Sequence, residues 1–516
     1  VKSVPTFRAT VALALLAAAA SAQASSYVIS EPADIRSSNP GVNRDDTTDG
    51  VVLNMVEGLA GYRANGTVGP LLAKSIDVSA DGLTYTFTLR DGVKFHNGEP
   101  MTSADVMWSW KRYMDPATDW RCRTEFDGRN GLKVEEVSAP DARTFVMKLN
   151  HKSAVFLDTL ARTDCGMTAI LNKASVKANG SWDKPVGTGP FMFGEWKRGE
   201  YIVLKAFKDY VSPPGDKGDG YLGNKKPLVD EVKFLVVPDA STVKAGLMSG
   251  AIDAGQIPYT DVPELKSQKA VRILVASDSA KHTMLFQTRD PVLKNPKLRL
   301  AIAASLDIPQ IVQAATEGLG TPNASAVARD SAFYDKAQEQ SYHYDPALAQ
   351  KLLKEAGYKG EKIVIYANKR AHVPSYQVAV MAQAMMQAVG INAQIEVLEW
   401  ATQLDRYNKG NYQISSFSYS SRLDPALSYE QFSGDKDKQP RKVWDDPQAL
   451  ALIDESFSEL DTAKRQAIFD KLHAMMMAQA PLILLSNGNQ PWGVGKRLNG
   501  FTVWEGKPFA WGASVQ

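Results

Sequence analysis

Between residues 284 and 483 the chain alternates helical periodicity with short apolar runs, and this rhythm restricts the region to an α/β layer with a largely parallel sheet. Helical patterns are predicted at 297–317, 345–356, 375–389, 401–409, 447–458 and 462–479. Strands are predicted between them at 362–367, 393–398 and 412–418. Parallel neighbours need a long crossover, and the helices supply it. The N-terminal half reads differently. Residues 28–36 begin extended and break at Pro32, and 47–59 is predicted as a helix. Leu83–Leu89 alternates Thr with apolar residues, the signature of a half-buried strand. Strand pairs are expected at 132–149 and 191–206, with turns at Pro140-Asp141 and Arg198-Gly199. Thr102 to Asp105 looks like a helix start ahead of 106–113. The Pro-, Gly- and charge-rich stretch 212–227 reads as a surface loop, followed by a strand at 229–237 and a short helix at 240–249. The tail returns to strand character at 481–485 and 503–504. A chain of 516 residues exceeds what one core supports, so several lobes of mixed α and β are expected.

Residues 1–24 read as a signal peptide: Lys2 and Arg8, then the apolar run 11–20, then Ala22-Gln23-Ala24, with cleavage expected after Ala24. No cysteine lies near that cut to carry a lipid, so a periplasmic protein is expected. Losing Lys2 and Arg8 takes the formal net charge from +2 to zero, which gives no electrostatic case for nucleic acid or a membrane surface. Beyond the leader no apolar stretch approaches the roughly 20 residues that span a bilayer. In an oxidising compartment Cys122 and Cys165 are expected to pair as a disulfide rather than serve a metal.

Catalytic grammar is missing: there is no His-Glu-x-x-His, Gly-x-Ser-x-Gly or Walker loop. Gly187-Thr188-Gly189 lacks the third glycine of a dinucleotide loop. The six histidines stand singly, without metal-ligand spacing. Neither a cofactor nor a metal is expected, and the reading is that of a non-enzyme.

Several segments together resemble the family 5 solute-binding proteins of ABC transporters, the dipeptide-, oligopeptide- and nickel-binding type. They are the block Ser79–Trp108; Gly187-Thr188-Gly189-Pro190-Phe191 with Trp196 and Tyr210; Pro238–Thr242 with Leu247, Gly250 and Asp253; and Val364–Tyr366, Val389-Gly390-Ile391 and Glu399-Trp400 with Leu404 and Lys409-Gly410. The resemblance implies an α/β, two-lobe periplasmic binding protein of type II with an extra subdomain (cluster C) and a hinge. Lobe I would comprise 25–60, 186–283 and 484–516, the extra subdomain 61–185, and lobe II 284–483. It also implies capture of a small solute or peptide by hinge closure. The expected partners are an inner-membrane permease and ATPase, with the binding protein acting as a monomer. A periplasmic peptidase-like enzyme is the alternative from another class.

One departure bears on the ligand. Where the family's peptide binders carry an Asp for the peptide's α-amino group, this chain reads Ser420-Ser421-Arg422-Leu423-Asp424, so the acid aligns with Ser421 or Arg422. Either Arg422 faces the cleft, where its fork suits a carboxylate or phosphate, or it pairs with Asp424 and points outward. The first case points to an anionic or polyhydroxylated solute, such as an opine, sugar phosphate or sugar acid; a conventional di- or oligopeptide is the alternative. By the same resemblance Asn368, Lys369, Arg370, Trp400 and Tyr419 are expected around the ligand on lobe II. Glu31 and Arg36 are expected there on lobe I, and Trp120 and Arg123 on the subdomain.

Overall fold

Two strands hold the molecule together. Val271–Phe286 and Leu482–Gly495 pair antiparallel along nearly their whole lengths at the middle of a ten-stranded sheet. The computed structural model describes residues 25–516 except 44, 371 and 372. The expected leader and its cleavage point lie outside the described residues. On one side of the long pair the sheet continues through Ala254–Gln256, Ser26–Glu31, Glu231–Val236, Tyr201–Ala206 and Phe191–Lys197. On the other side it continues through Ile414–Tyr419, Ile363–Ala367 and Ala393–Val397. Those last three are mutually parallel, as the helix–strand alternation predicts, but they meet the long pair antiparallel.

Each wing has its own core. Tyr27, Ile29, Phe191, Phe234 and Trp511 centre lobe I; Met284, Ile302, Ile365 and Ala379 centre the parallel part of lobe II. A third core, with Phe87, Phe126 and Phe145, belongs to a subdomain built on an antiparallel sheet of Ala73–Val78, Thr84–Leu89, Thr144–Leu149 and Val134–Asp141. Helix Ser103–Met114 contributes Val106, Trp110 and Tyr113 to that core. Cys122 and Cys165 are bonded, with Cα atoms 5.6 Å apart.

Helix starts follow the capping chemistry. Asp345, Asp446 and Asp461 each accept a backbone N–H from the first turn they precede, and Pro346 and Pro447 open two of those helices. Two readings need correction. The helix expected over 47–59 spans only Asp46–Val52, because the carbonyls of Asn54 and Met55 accept hydrogen bonds from Phe191 and Gly189 instead. A Cβ at Gly187 or Gly189 would lie 2.3 or 2.6 Å from the Met55 backbone, so this Gly-Thr-Gly serves a close chain crossing. The expected surface loop 212–227 buries Tyr221, Leu222 and Lys225. Helix Pro425–Phe432 and most of strand Val271–Phe286 were not anticipated.

Candidate functional site

A cavity of about 340 Å³ lies where lobe I, the subdomain and lobe II meet. Lobe I contributes Asp45, Asp46 and Asp49 around the start of helix Asp46–Val52, with Glu505 and Lys507 from the C-terminal hairpin. The long central strands add Asp278 and Gln490, the subdomain adds Arg162 and Asp164, and lobe II adds Ser420, Ser421, Arg422 and Leu423. A neighbouring cavity of about 210 Å³ shares Asp278, Leu423, Trp504 and Glu505 with it.

The lobe I wall is acidic and crowded. Asp45 caps the helix by accepting the Thr48 N–H at 2.7 Å, and Thr48 in turn accepts the Arg36 N–H through its hydroxyl. Asp46 takes the ammonium of Lys507 at 3.1 Å. Glu505 accepts both the N–H and the hydroxyl of Ser279, and the Ser421 hydroxyl reaches it from lobe II. Asp278 accepts the Ala280 N–H and the Gln490 amide. Asp49 is 4 % exposed, and its carboxylate makes no hydrogen bond to any described residue. Burial, opposed by the charge of Lys507 and reinforced by Asp164, Asp46 and Asp45, lifts Asp49 to about 8; burial and then Glu505 lift Asp278 to about 7. Glu31, buried behind this wall with one carboxylate oxygen unpartnered, is lifted to about 8 by burial and by Asp46 and Asp45. Burial alone would lower Lys507, yet Asp46 and Asp49 raise it well above the usual lysine range.

The opposing wall is basic. After strand Ile414–Tyr419 the chain turns through Ser420–Leu423 into helix Pro425–Phe432. Asp424 caps that helix through the Ala426 N–H and receives Arg465 through both carboxylate oxygens at 2.8 and 3.0 Å. Its acceptor capacity is used internally, so the outward Arg422–Asp424 pair does not form, and Asp424 is a scaffold residue. Arg422 lines the cavity, donating to the Ser421 carbonyl at 2.8 Å and the Ser420 hydroxyl at 3.3 Å. Its charge joins those of Arg162 and Arg121 in holding Asp164 below the ordinary carboxylate range despite burial, which acts to raise it. Lys281 sits behind them, 1 % exposed, with its ammonium on the Ser279 carbonyl; burial and then Arg422 bring it down to about 7.

Of the residues expected at the ligand, the structure brings Ser420, Ser421 and Arg422 to this cavity. The others lie elsewhere. Trp120 is buried in the subdomain core, donating to the Cys165 carbonyl and stacked on Phe126. Arg123 is half-buried in a short turn beside the disulfide. Asn368 is buried, donating to Gln403 at 2.6 Å and accepting from Arg370. Arg370 lies 3.8 Å over the Trp400 ring, and Lys369 covers Tyr376 at 4.4 Å. Tyr419 is buried with its hydroxyl bonded to Tyr407. Arg36 is exposed, 3.8 Å from Asp45. Cys122, Asp164 and Cys165 cluster at metal-ligand distances, but the disulfide leaves no thiolate there. Sequence reasoning missed Asp46, Asp49, Arg162, Asp164, Asp278, Glu505 and Lys507. Asp45 to Asp49 carried a signal, but acids at a helix start read first as dipole and capping groups.

Comparison with known proteins places this geometry. Residues 67–440 match the model of bacterial extracellular solute-binding proteins, family 5. The oligopeptide-binding protein OppA of Bacillus subtilis is 24% identical over 500 residues, covering 90% of this chain and 87% of that protein. The glutathione-binding protein GsiB of Escherichia coli K12 is 28% identical over 392 residues, covering 75% and 72%. The periplasmic binding protein AgaA of A. tumefaciens R10, solved with agropinic acid, superposes with a TM-score of 0.70 at 26% identity, covering 95% and 99%.

Proposed function

Because the chain belongs to the family 5 bacterial extracellular solute-binding proteins, we propose that the interlobe cavity is where it captures a small solute carrying a carboxylate or phosphate, with Arg422 as the anion-binding group. The observation that carries this reading is the pair of fates on one loop. Asp424 is consumed by Arg465 and a helix cap, while Arg422 faces the cavity. An acid at position 421 or 422 would have served an ammonium; a guanidinium serves an anion through charged hydrogen bonds of about 1.5–3 kcal/mol each. Relatives named for glutathione and agropinic acid support a ligand of this size and charge.

Closure works as a hinge on the long strands Val271–Phe286 and Leu482–Gly495, since these are the continuous links between the wings of the sheet. The register slips at Asp278/Lys281 and His282/Thr283 put irregular backbone beside the cavity, where such bending is absorbed. The lobes are taken as 25–60, 186–283 and 484–516 for lobe I and 284–483 for lobe II, with 61–185 as the subdomain. The solute is handed intact to a membrane permease driven by an ATPase, by a monomer working in the periplasm after loss of residues 1–24. Relatives of this family are transport proteins. Among the described residues no helix is long and apolar enough to cross a membrane.

Isothermal titration of the purified chain against a panel of opines, sugar phosphates, sugar acids, glutathione and simple dipeptides tests the reading. The expected result is selective binding of an anionic compound, weakened at least tenfold by Arg422→Ala. Tight binding of ordinary dipeptides that ignores Arg422→Ala would overturn it.

A further inference from the structure

The six carboxylates on the cavity wall differ in one respect: five have partners and one does not. Asp45 holds Thr48, Asp46 holds Lys507, Asp164 holds Arg162, and Asp278 and Glu505 accept backbone and side-chain donors. Asp49, 4 % exposed and bordering the cavity, has neither a hydrogen bond nor an ion pair with any described residue. A buried carboxylate left unpaired costs several kcal/mol relative to water, so a fold retains one where something else completes it. Lys507, whose charge reaches Asp49, is already hydrogen-bonded to Asp46 and to the Glu505 carbonyl. Across the cavity stands Arg422.

Resting on the capture reading above, we infer that the solute is a zwitterion whose cationic nitrogen, an ammonium or guanidinium, docks on Asp49 of lobe I while its acidic end faces Arg422 of lobe II. The ligand then bridges the lobes by charge. Each end meets its complement only when the lobes are together, which favours the closed form over the open one. A purely anionic sugar acid would suit Arg422 and leave Asp49 facing it uncompensated. Specificity therefore comes from both walls: one rejects ligands lacking an acid, the other those lacking a cation.

The test uses glutathione and a sugar–glutamine conjugate, each as the parent, the N-acetyl derivative and the carboxylate ester, titrated calorimetrically into the full chain. For whichever parent binds, N-acetylation is expected to weaken wild-type affinity at least tenfold. In Asp49→Asn the parent should lose a similar factor, and N-acetylation should then cost less than twofold. Arg422→Gln should erase the ester penalty and leave the N-acetyl penalty in place. Asp46→Asn, altering a side chain that is 84% exposed, covers the case in which Asp49→Asn misfolds. It frees Lys507 to satisfy Asp49 and should reduce the N-acetyl penalty at least threefold. A parent that binds regardless of N-acetylation overturns the bridging inference and leaves anion capture standing. A penalty that follows the wrong residue does the same. If no compound binds in any form, both readings fall.

Discussion

Lobe I buries two clusters of charge, and they are built on opposite terms. In the first, Glu57 and Lys225 are both wholly buried and meet at 2.8 Å. Glu57 also accepts the Tyr210 and Thr188 hydroxyls, and the ammonium of Lys225 lies 4.6 Å from the Trp511 ring. Despite burial, which acts to raise it, Lys225 and Arg90 hold Glu57 below the ordinary range. In the second, Asp46, Asp49, Asp278 and Glu505 share Lys507, and burial pushes Asp49 and Asp278 up toward neutrality. The first cluster is complete within the fold and ties loop 212–227 to the segment after helix Asp46–Val52. The second gathers more acids than the lysine they share can balance and opens onto the cavity. Burial alone therefore does not mark a functional acid; an unmet requirement does.

The largest effect that separates the two comes from Lys225→Met. It strands a buried carboxylate and is expected to cost about 3–5 kcal/mol in denaturant unfolding. Pairing it with Glu57→Leu should recover most of that loss, because the desolvated charge disappears with its partner. A single variant within 1 kcal/mol of wild type would mean the pair is not the structural cluster described. A smaller effect is expected from Cys122→Ser with Cys165→Ser. Opening a loop of 43 residues costs about 2–4 kcal/mol in the chain-entropy model. Because Asp164 and Arg162 precede Cys165, solute affinity should fall as well, and a stability loss with unchanged affinity would detach the disulfide from the cavity wall.

Asp49→Asn should act in the reverse direction on the empty protein. The carboxyl goes from 3.8 in the unfolded chain to about 8 in the folded one, so between those values the folded state binds the extra proton. Its contribution therefore penalises folding progressively as pH rises from about 4 to about 8, by up to about 1.4 kcal/mol per pH unit. The variant should be increasingly more stable than wild type across that window and equal to it near pH 4. Melting curves at pH 4, 6 and 8 read this directly; a constant difference would show that Asp49 is already compensated.

These contrasts explain what was legible from residues alone. Helices such as Pro346–Ala356 and Pro447–Ser458 announce themselves through an Asp cap, Pro at the first turn and apolar spacing, all local signals. Strand Val271–Phe286 carries Ser277-Asp278-Ser279-Ala280-Lys281-His282 at its centre, a loop-like composition, because it crosses a polar cavity between two apolar cores. Arg422 was identifiable because it breaks a family pattern at a known place. Asp49, Glu505 and Lys507 were not, since their meaning depends on residues over 450 positions apart meeting in space. Trp120 shows the converse: the resemblance alone set it at the ligand, whereas its ring stacks on Phe126 and its N–H donates to the Cys165 carbonyl inside the subdomain core.

The smallest expected effect isolates the variable that makes Glu57–Lys225 matter. Lys94 and Asp209 meet at 2.9 Å, within 0.1 Å of the buried pair, yet their side chains are 46% and 58% exposed. Water solvates each charge whether or not the other is present, and salt screens what attraction remains. Lys94→Ala should therefore shift unfolding by less than about 0.5 kcal/mol, and the shift should shrink further in 0.5 M salt. Nearly equal contact distances with a several-fold difference in cost would assign the effect to desolvation. A loss comparable to that of Lys225→Met would instead assign it to the ion-pair contact itself, and the distinction drawn between the two buried clusters would have to be rebuilt on geometry rather than on solvent.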